Sequence, residues 1–119
     1  MAVASFTDDL RGPLAIWKQP SATRAYVIGV YTAGGKTSDD YSVACIIDAH
    51  TGEDVATWRG HLEPGDFAVI IFALMEHYAG TTGQAMVVPE INNHGLVVLD
   101  NLRRLGAWNI YTRTTWDAI

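Results

Sequence analysis

The sequence predicts a single α/β domain built on one mixed sheet, with elements in the order β-β-β-α-β-α-β. Three observations carry this reading. Three runs rich in β-branched and aromatic residues follow one another at short spacing between residues 25 and 61. Two later stretches, 64–80 and 92–106, place apolar residues at helical intervals and end on glycine. Short apolar runs at 84–88 and 107–112 sit between and after them.

Residues 1–24 are loop-like. Pro13, Pro20 and the polar 19–23 stretch interrupt any periodicity, although Leu14, Ile16 and Trp17 are apolar enough to dock. This segment reads as an N-terminal arm or former linker, and 25–119 as the domain. The first strand, 25–31 (AYVIGVY), is apolar on both faces, as is the second, 41–48 (YSVACIID). The small, polar turn 32–40 joins them, and His50, Thr51, Gly52 and Glu53 turn the chain into the third strand, 54–61. Such short connections imply an antiparallel meander.

Pro64 suits a first helical turn, and Asp66 complements its positive dipole end. Phe67, Ile70, Ile71, Leu74 and Tyr78 share one face, and Gly80 terminates the helix. The fourth strand is 84–88. Asn92 or Asn93 caps the second helix, in which Leu96, Leu99, Leu102 and Leu105 recur at threes before Gly106. The fifth strand is 107–112. Right-handed crossovers put both helices on one sheet face. The other apolar face then needs cover, either from the N-terminal arm or from a second copy of the chain.

Composition narrows the function classes. With 49% hydrophobic and 18% charged residues in 119, the chain suits one soluble domain. No run approaches the ~20 apolar residues of a membrane span, and the start lacks a signal-peptide pattern. Cys45 is the single cysteine, which excludes an internal disulfide and a cysteine-built zinc site. These features point to the cytoplasm. Eight Lys and Arg against thirteen Asp and Glu give a net charge of −5. Any nucleic-acid contact is therefore local rather than driven by a global basic field.

Three segments resemble a known family: YVIGVYTAGGKTSDDYSVACIID at 26–48, TGEDVATWRGHLEPGDFA at 51–68 and VVPEINNHGLVVLDNLRRLG at 87–106. Together they look like the nuclease domain of the large terminase subunit of tailed bacteriophages. The P-E-x-N-N-H-G segment after a strand is the most specific part. The resemblance covers about residues 14–112. It implies a ribonuclease H-like fold lacking the C-terminal helices of the full domain. It also implies a bacterial host cytoplasm and a relation to cleavage of concatemeric DNA during genome packaging.

The family holds divalent metal ions on acidic residues. One aspartate ends the first strand, a carboxylate ends the fourth, and a third acid lies on a later helix. Two metal ions stabilise the attacking and leaving oxygens of phosphodiester cleavage, and hard Mg²⁺ or Mn²⁺ takes oxygen ligands. Here Tyr31 stands at the first position, and a neutral phenol is a poor ligand for such a cation. Glu90 fills the second. The third has no counterpart before the chain ends. The expectation is thus a shortened, catalytically inactive relative, a prophage remnant, with Glu90 as the remaining acid and Mg²⁺ or Mn²⁺ as its metal if it keeps one. The alternative is a non-catalytic homo-oligomer, most simply a dimer through the uncovered sheet face, or a weak DNA-binding module.

Asp40, with Asp39, offers a substitute acid, against an ordinary turn role. His94 offers a phosphate or metal contact, against a capping or turn role. Lys36, Arg103 and Arg104 are the candidate DNA contacts, although the two arginines also suit a helix C-terminus. The Gly34 to Thr37 segment lacks the first glycine and the following helix of a phosphate-binding loop. Asp48 reads as a hairpin-entry residue and Asp117 as unrelated to the site. His50, His61 and His77 read as surface residues, and Cys45 as a small core residue.

Overall fold

The computed structural model describes residues 13–34, 40–90 and 92–111. Its elements are β1 (Leu14–Ile16), β2 (Tyr26–Tyr31), β3 (Ser42–Asp48), β4 (Asp54–Gly60), α1 (Pro64–His77), β5 (Met86–Pro89) and α2 (Asn93–Leu105). The five strands form one sheet in the order β1-β4-β3-β2-β5. The β2–β3, β3–β4 and β1–β4 pairs are antiparallel, and β2–β5 is parallel. The meander and the element order through the second helix match the sequence reading, and the first and fourth predicted strands, β2 and β5, are neighbours.

Two elements differ from expectation. The segment read as an arm carries β1, which adds an edge strand through Leu14 opposite Trp58 and Ile16 opposite Ala56. Three residues between prolines are too few for a periodicity to register, so the strand is set by the partner it meets. At the other end, the expected fifth strand contracts to one parallel bridge between Val87 and Ile110. Gln84 explains that segment's course. Its buried Oε1 accepts the amides of Trp108 and Asn109 at 3.0 and 3.3 Å, holding the chain up to the two backbone bonds that Asn109 and Tyr111 make with Val87.

Strict alternation in β2 and β3 sends Tyr26, Ile28, Val30, Ala44 and Ile46 into the core. A bulge lies opposite Ile46 and Ile47, and both Val55 and Ala56 are buried there. The Val55 carbonyl accepts the amides of Trp17 and Lys18 at 2.8 and 3.1 Å, so the bulge also anchors the chain after β1. Phe67, Ile71 and Leu74 of α1 and Val98 and Leu102 of α2 close the same core, which puts both helices on one sheet face.

The second helix departs from its leucine pattern. Leu99 and Leu102 are buried, whereas Leu96 and Leu105 are exposed. A repeat of three drifts around a 3.6-residue helix, and nine residues carry Leu105 to the side opposite Leu96. The other sheet face carries Val27, Val43, Cys45, Ile47 and Val88, all half-buried rather than buried. Cys45 is therefore not a core residue. Its sulfur faces the Thr57 hydroxyl at 4.0 Å. No helix among the described residues is long and apolar enough to cross a membrane.

Candidate functional site

Parallel pairing of β2 and β5 brings their carboxyl ends side by side. Gly29 is level with Val88 and Val30 with Pro89, so Tyr31 and Glu90 are the next residues on the two strands. Alternation directs Tyr31 to the face away from the helices, and it is exposed there. Beyond Tyr31 the chain bends, and Ala33 donates its amide to the hydroxyl of fully buried Ser42 at 2.9 Å. That bond ties the turn to the start of β3.

A cleft of about 250 Å³ opens at this end, lined by Tyr31, Thr32, Ala33, Gly34, Asp40, Asn92 and His94. The structure thus brings together Tyr31, Asp40 and His94 from three separate segments. Thr32 is buried to 2% exposure, and its hydroxyl has no hydrogen-bond partner among the described residues. A buried hydroxyl without a partner is uncommon and marks the cleft as polar at its base.

Glu90 follows β5, exposed and outside the cleft lining, and Asn92, which does line the cleft, fixes it. The Asn92 amide nitrogen donates to Glu90 Oε1 at 2.9 Å, while its Oδ1 accepts the Gly95 amide at 2.7 Å. One carboxamide therefore caps α2 and holds the carboxylate. Gly95 is required by the same packing, since a Cβ there would run into the Glu90 carbonyl. The sequence left Asn92 and Asn93 open as the cap, and geometry selects Asn92. His94 lies in the first turn of α2, exposed, with its ring on the cleft.

The other sequence candidates lie elsewhere. Arg103 and Arg104 end α2, about 15 Å of helix from the cleft at 1.5 Å per residue, and Arg104 pairs with Asp100 at 3.1 Å. Lys36, Asp39 and Asp117 lie outside the described residues. Asp48 is at the opposite end of β3. Its carboxylate accepts the His50 and Thr51 amides at 2.8 and 3.3 Å and faces Arg24 at 3.8 Å. Burial raises its pKa, but the two amides and Arg24 outweigh that and hold the carboxyl below its ordinary value.

Sequence reading missed a cluster beside the cleft. The Arg59 guanidinium sits 3.9 Å from the centroid of the Tyr41 ring, whose other contact is the His61 ring at 4.2 Å. His61 is half-buried with its Nδ1 enclosed, not a surface residue. The signal was present in the meander. Antiparallel pairing of Ser42 with Gly60 makes Tyr41 and His61 the next facing pair.

Divalent cations need several oxygen donors at close range. Among the described residues no group of three His, Cys, Asp or Glu side chains can hold a metal ion. Tyr31 supplies a neutral phenol, and Glu90, held by Asn92 through one oxygen, is the single carboxylate beside it at the β2 and β5 ends. These donors do not fit a two-metal centre.

Comparison with solved structures identifies the fold. The large terminase nuclease from thermophilic phage G20c with bound cobalt superposes with a TM-score of 0.71 at 22% identity, over 95% of this chain and 57% of that one. The same nuclease with bound magnesium gives 0.72 at 22% identity, over 95% and 58%. The Thermus phage P74-26 large terminase nuclease domain gives 0.67 at 23% identity, over 92% and 53%. This chain thus spans little more than half the length of each. No protein-family model and no curated protein sequence matches it. The architecture is the ribonuclease H-like α/β fold of phage large-terminase nuclease domains.

Proposed function

We propose that this chain is a relative of the phage large-terminase nuclease domain, related to metal-dependent DNA cleavage in genome packaging, and that it is catalytically silent as it stands. The observation that carries this reading is the pairing of Tyr31 with Glu90 at the ends of adjacent parallel strands. That placement supports a strand-end site in which a phenol stands where the family resemblance implies an acid. Two-metal phosphodiester cleavage needs both oxygens of the displacement held by cations. The donor set described above does not supply this.

A plasmid-nicking assay in Mn²⁺ tests the proposal, comparing the chain as given with Glu90→Ala. The expected result is no nicking above buffer by either protein. Nicking by the unmodified chain that disappears in Glu90→Ala would contradict catalytic silence.

A second reading is self-association. Val27, Ile47 and Met86 form a half-buried apolar row across β3, β2 and β5, at the end of the helix-free face away from the cleft. A second copy of this chain, related by a twofold axis, would cover it.

A further inference from the structure

We propose that Arg59, held on the Tyr41–His61 stack, is a contact for the phosphodiester backbone of a DNA strand entering the cleft. This deepens the functional reading above, on which it rests, by naming the surface that would receive the strand.

The argument begins with register. Tyr31, Val43 and Arg59 lie in one row across β2, β3 and β4, and paired residues present their side chains to the same face. Arg59 therefore shares the helix-free face and the cleft end of the sheet with Tyr31. Two strand spacings separate their backbones, or ~10 Å. That is about three nucleotide rises along one strand of a B-form duplex, and fewer along an extended unpaired strand. Asp40, on the cleft wall, is followed directly by Tyr41, so the stack borders the opening.

The chemistry of Arg59 supports an anionic partner. Lys18, Arg24 and Arg104 each have a carboxylate within 4.0 Å, at Glu53, Asp48 and Asp100. Arg59 has no ion-pair partner among the described residues, and it is exposed. Its guanidinium carbon instead lies 3.9 Å over the centroid of the Tyr41 ring. A stacked guanidinium keeps its N–H edge free and loses little side-chain freedom when it binds, which suits the planar fork to phosphate. Tyr31, 40% exposed on the same face two strands away, gives an unpaired strand a stacking surface, while the Tyr41 ring is already engaged by Arg59 and His61 and serves as the platform for the cation. In a chain of net charge −5, such a local device is the kind of nucleic-acid contact that the overall field allows.

The test is fluorescence anisotropy of labelled 20-nucleotide single-stranded DNA, duplex DNA and single-stranded RNA, titrated with the full chain without divalent metal over a salt series. Arg59→Ala should weaken single-stranded DNA binding about tenfold and lower the salt slope by about 0.7, the loss of one phosphate contact. Tyr41→Ala should weaken it by a smaller factor with the slope retained, because the charge remains but its platform is gone. Arg103→Ala, remote on α2, should leave both within about twofold. Thermal melts of each variant confirm folding. Binding by the unmodified chain that is unchanged in Arg59→Ala overturns this assignment and leaves the functional reading intact. Preference for RNA overturns the choice of strand. Failure of the unmodified chain to bind any probe at low salt also overturns this assignment, while the nicking assay tests the functional reading separately.

Discussion

Tyr31 and Glu90 end neighbouring strands, and their adjacency decides what either side chain contributes. An aspartate at 31 would place a second carboxylate beside Glu90 and raise the affinity of the pair for a hard cation. Asp48 shows the opposite use of an acid. Its folded-state pKa lies below its ordinary 3.8 because the His50 and Thr51 amides and Arg24 together outweigh the effect of burial. A carboxyl depressed in the folded state adds stability above the unfolded value and loses it as pH falls through the folded one. Thermal midpoints should therefore drop as pH falls below about 4, and Asp48→Asn should flatten that part of the profile while lowering stability at pH 7. A profile unchanged by the substitution would contradict this. At the residue scale, the strand-end position of Glu90 and the turn role of Asp48 were legible because motif and turn chemistry are local. The contact of Arg59, Tyr41 and His61 was not, because it depends on the register between β3 and β4, which the turn sequence alone does not fix.

At the scale of elements, the strands and helices with repeating patterns could be read and those held by single side chains could not. β2, β3 and β4 follow from short β-branched and aromatic runs between turns, and α1 from helical spacing. β1 is three residues long and exists because β4 offers it an edge. The chain after α2 pairs with β5 only at Ile110 and is held before that by Gln84, whose side chain bonds Glu76, the Gly106 carbonyl and two amides. Gln84→Leu should leave those amides unpaired and cost about 1–3 kcal/mol, roughly 4–20 °C in Tm for a domain of this size. Calorimetric or circular dichroism melts check this. Gly95→Ala should be comparably harmful, because the added Cβ meets the Glu90 carbonyl and forces α2 away from β5. A Gly95→Ala melt within 2 °C of the parent, on the same scale, would contradict the packing that fixes Glu90.

At the scale of the whole molecule, both helices lie on one face and the other is half-covered. That imbalance was visible in the two-sided apolar strands. Which surface answers it was not, because apolarity alone names no partner. Sedimentation equilibrium at about 100 µM, a concentration at which a pair with micromolar Kd would be assembled, should give twice the 13.0 kDa chain mass if the Val27, Ile47 and Met86 row joins two copies. Ile47→Lys should return it to the monomer. A monomeric parent would contradict self-association and leave the cleft argument untouched.

The cleft is the central claim, and Mn²⁺ titration calorimetry of the parent, Tyr31→Asp and Tyr31→Asp/Glu90→Gln addresses it most directly. Restoring one acid beside Glu90 should tighten Mn²⁺ binding by about tenfold or more, because a second carboxylate joins the first. Removing Glu90 in the double variant should abolish that gain. If Tyr31→Asp binds no better than the parent, or if the double variant keeps the gain, Tyr31 and Glu90 do not form one site and the account fails.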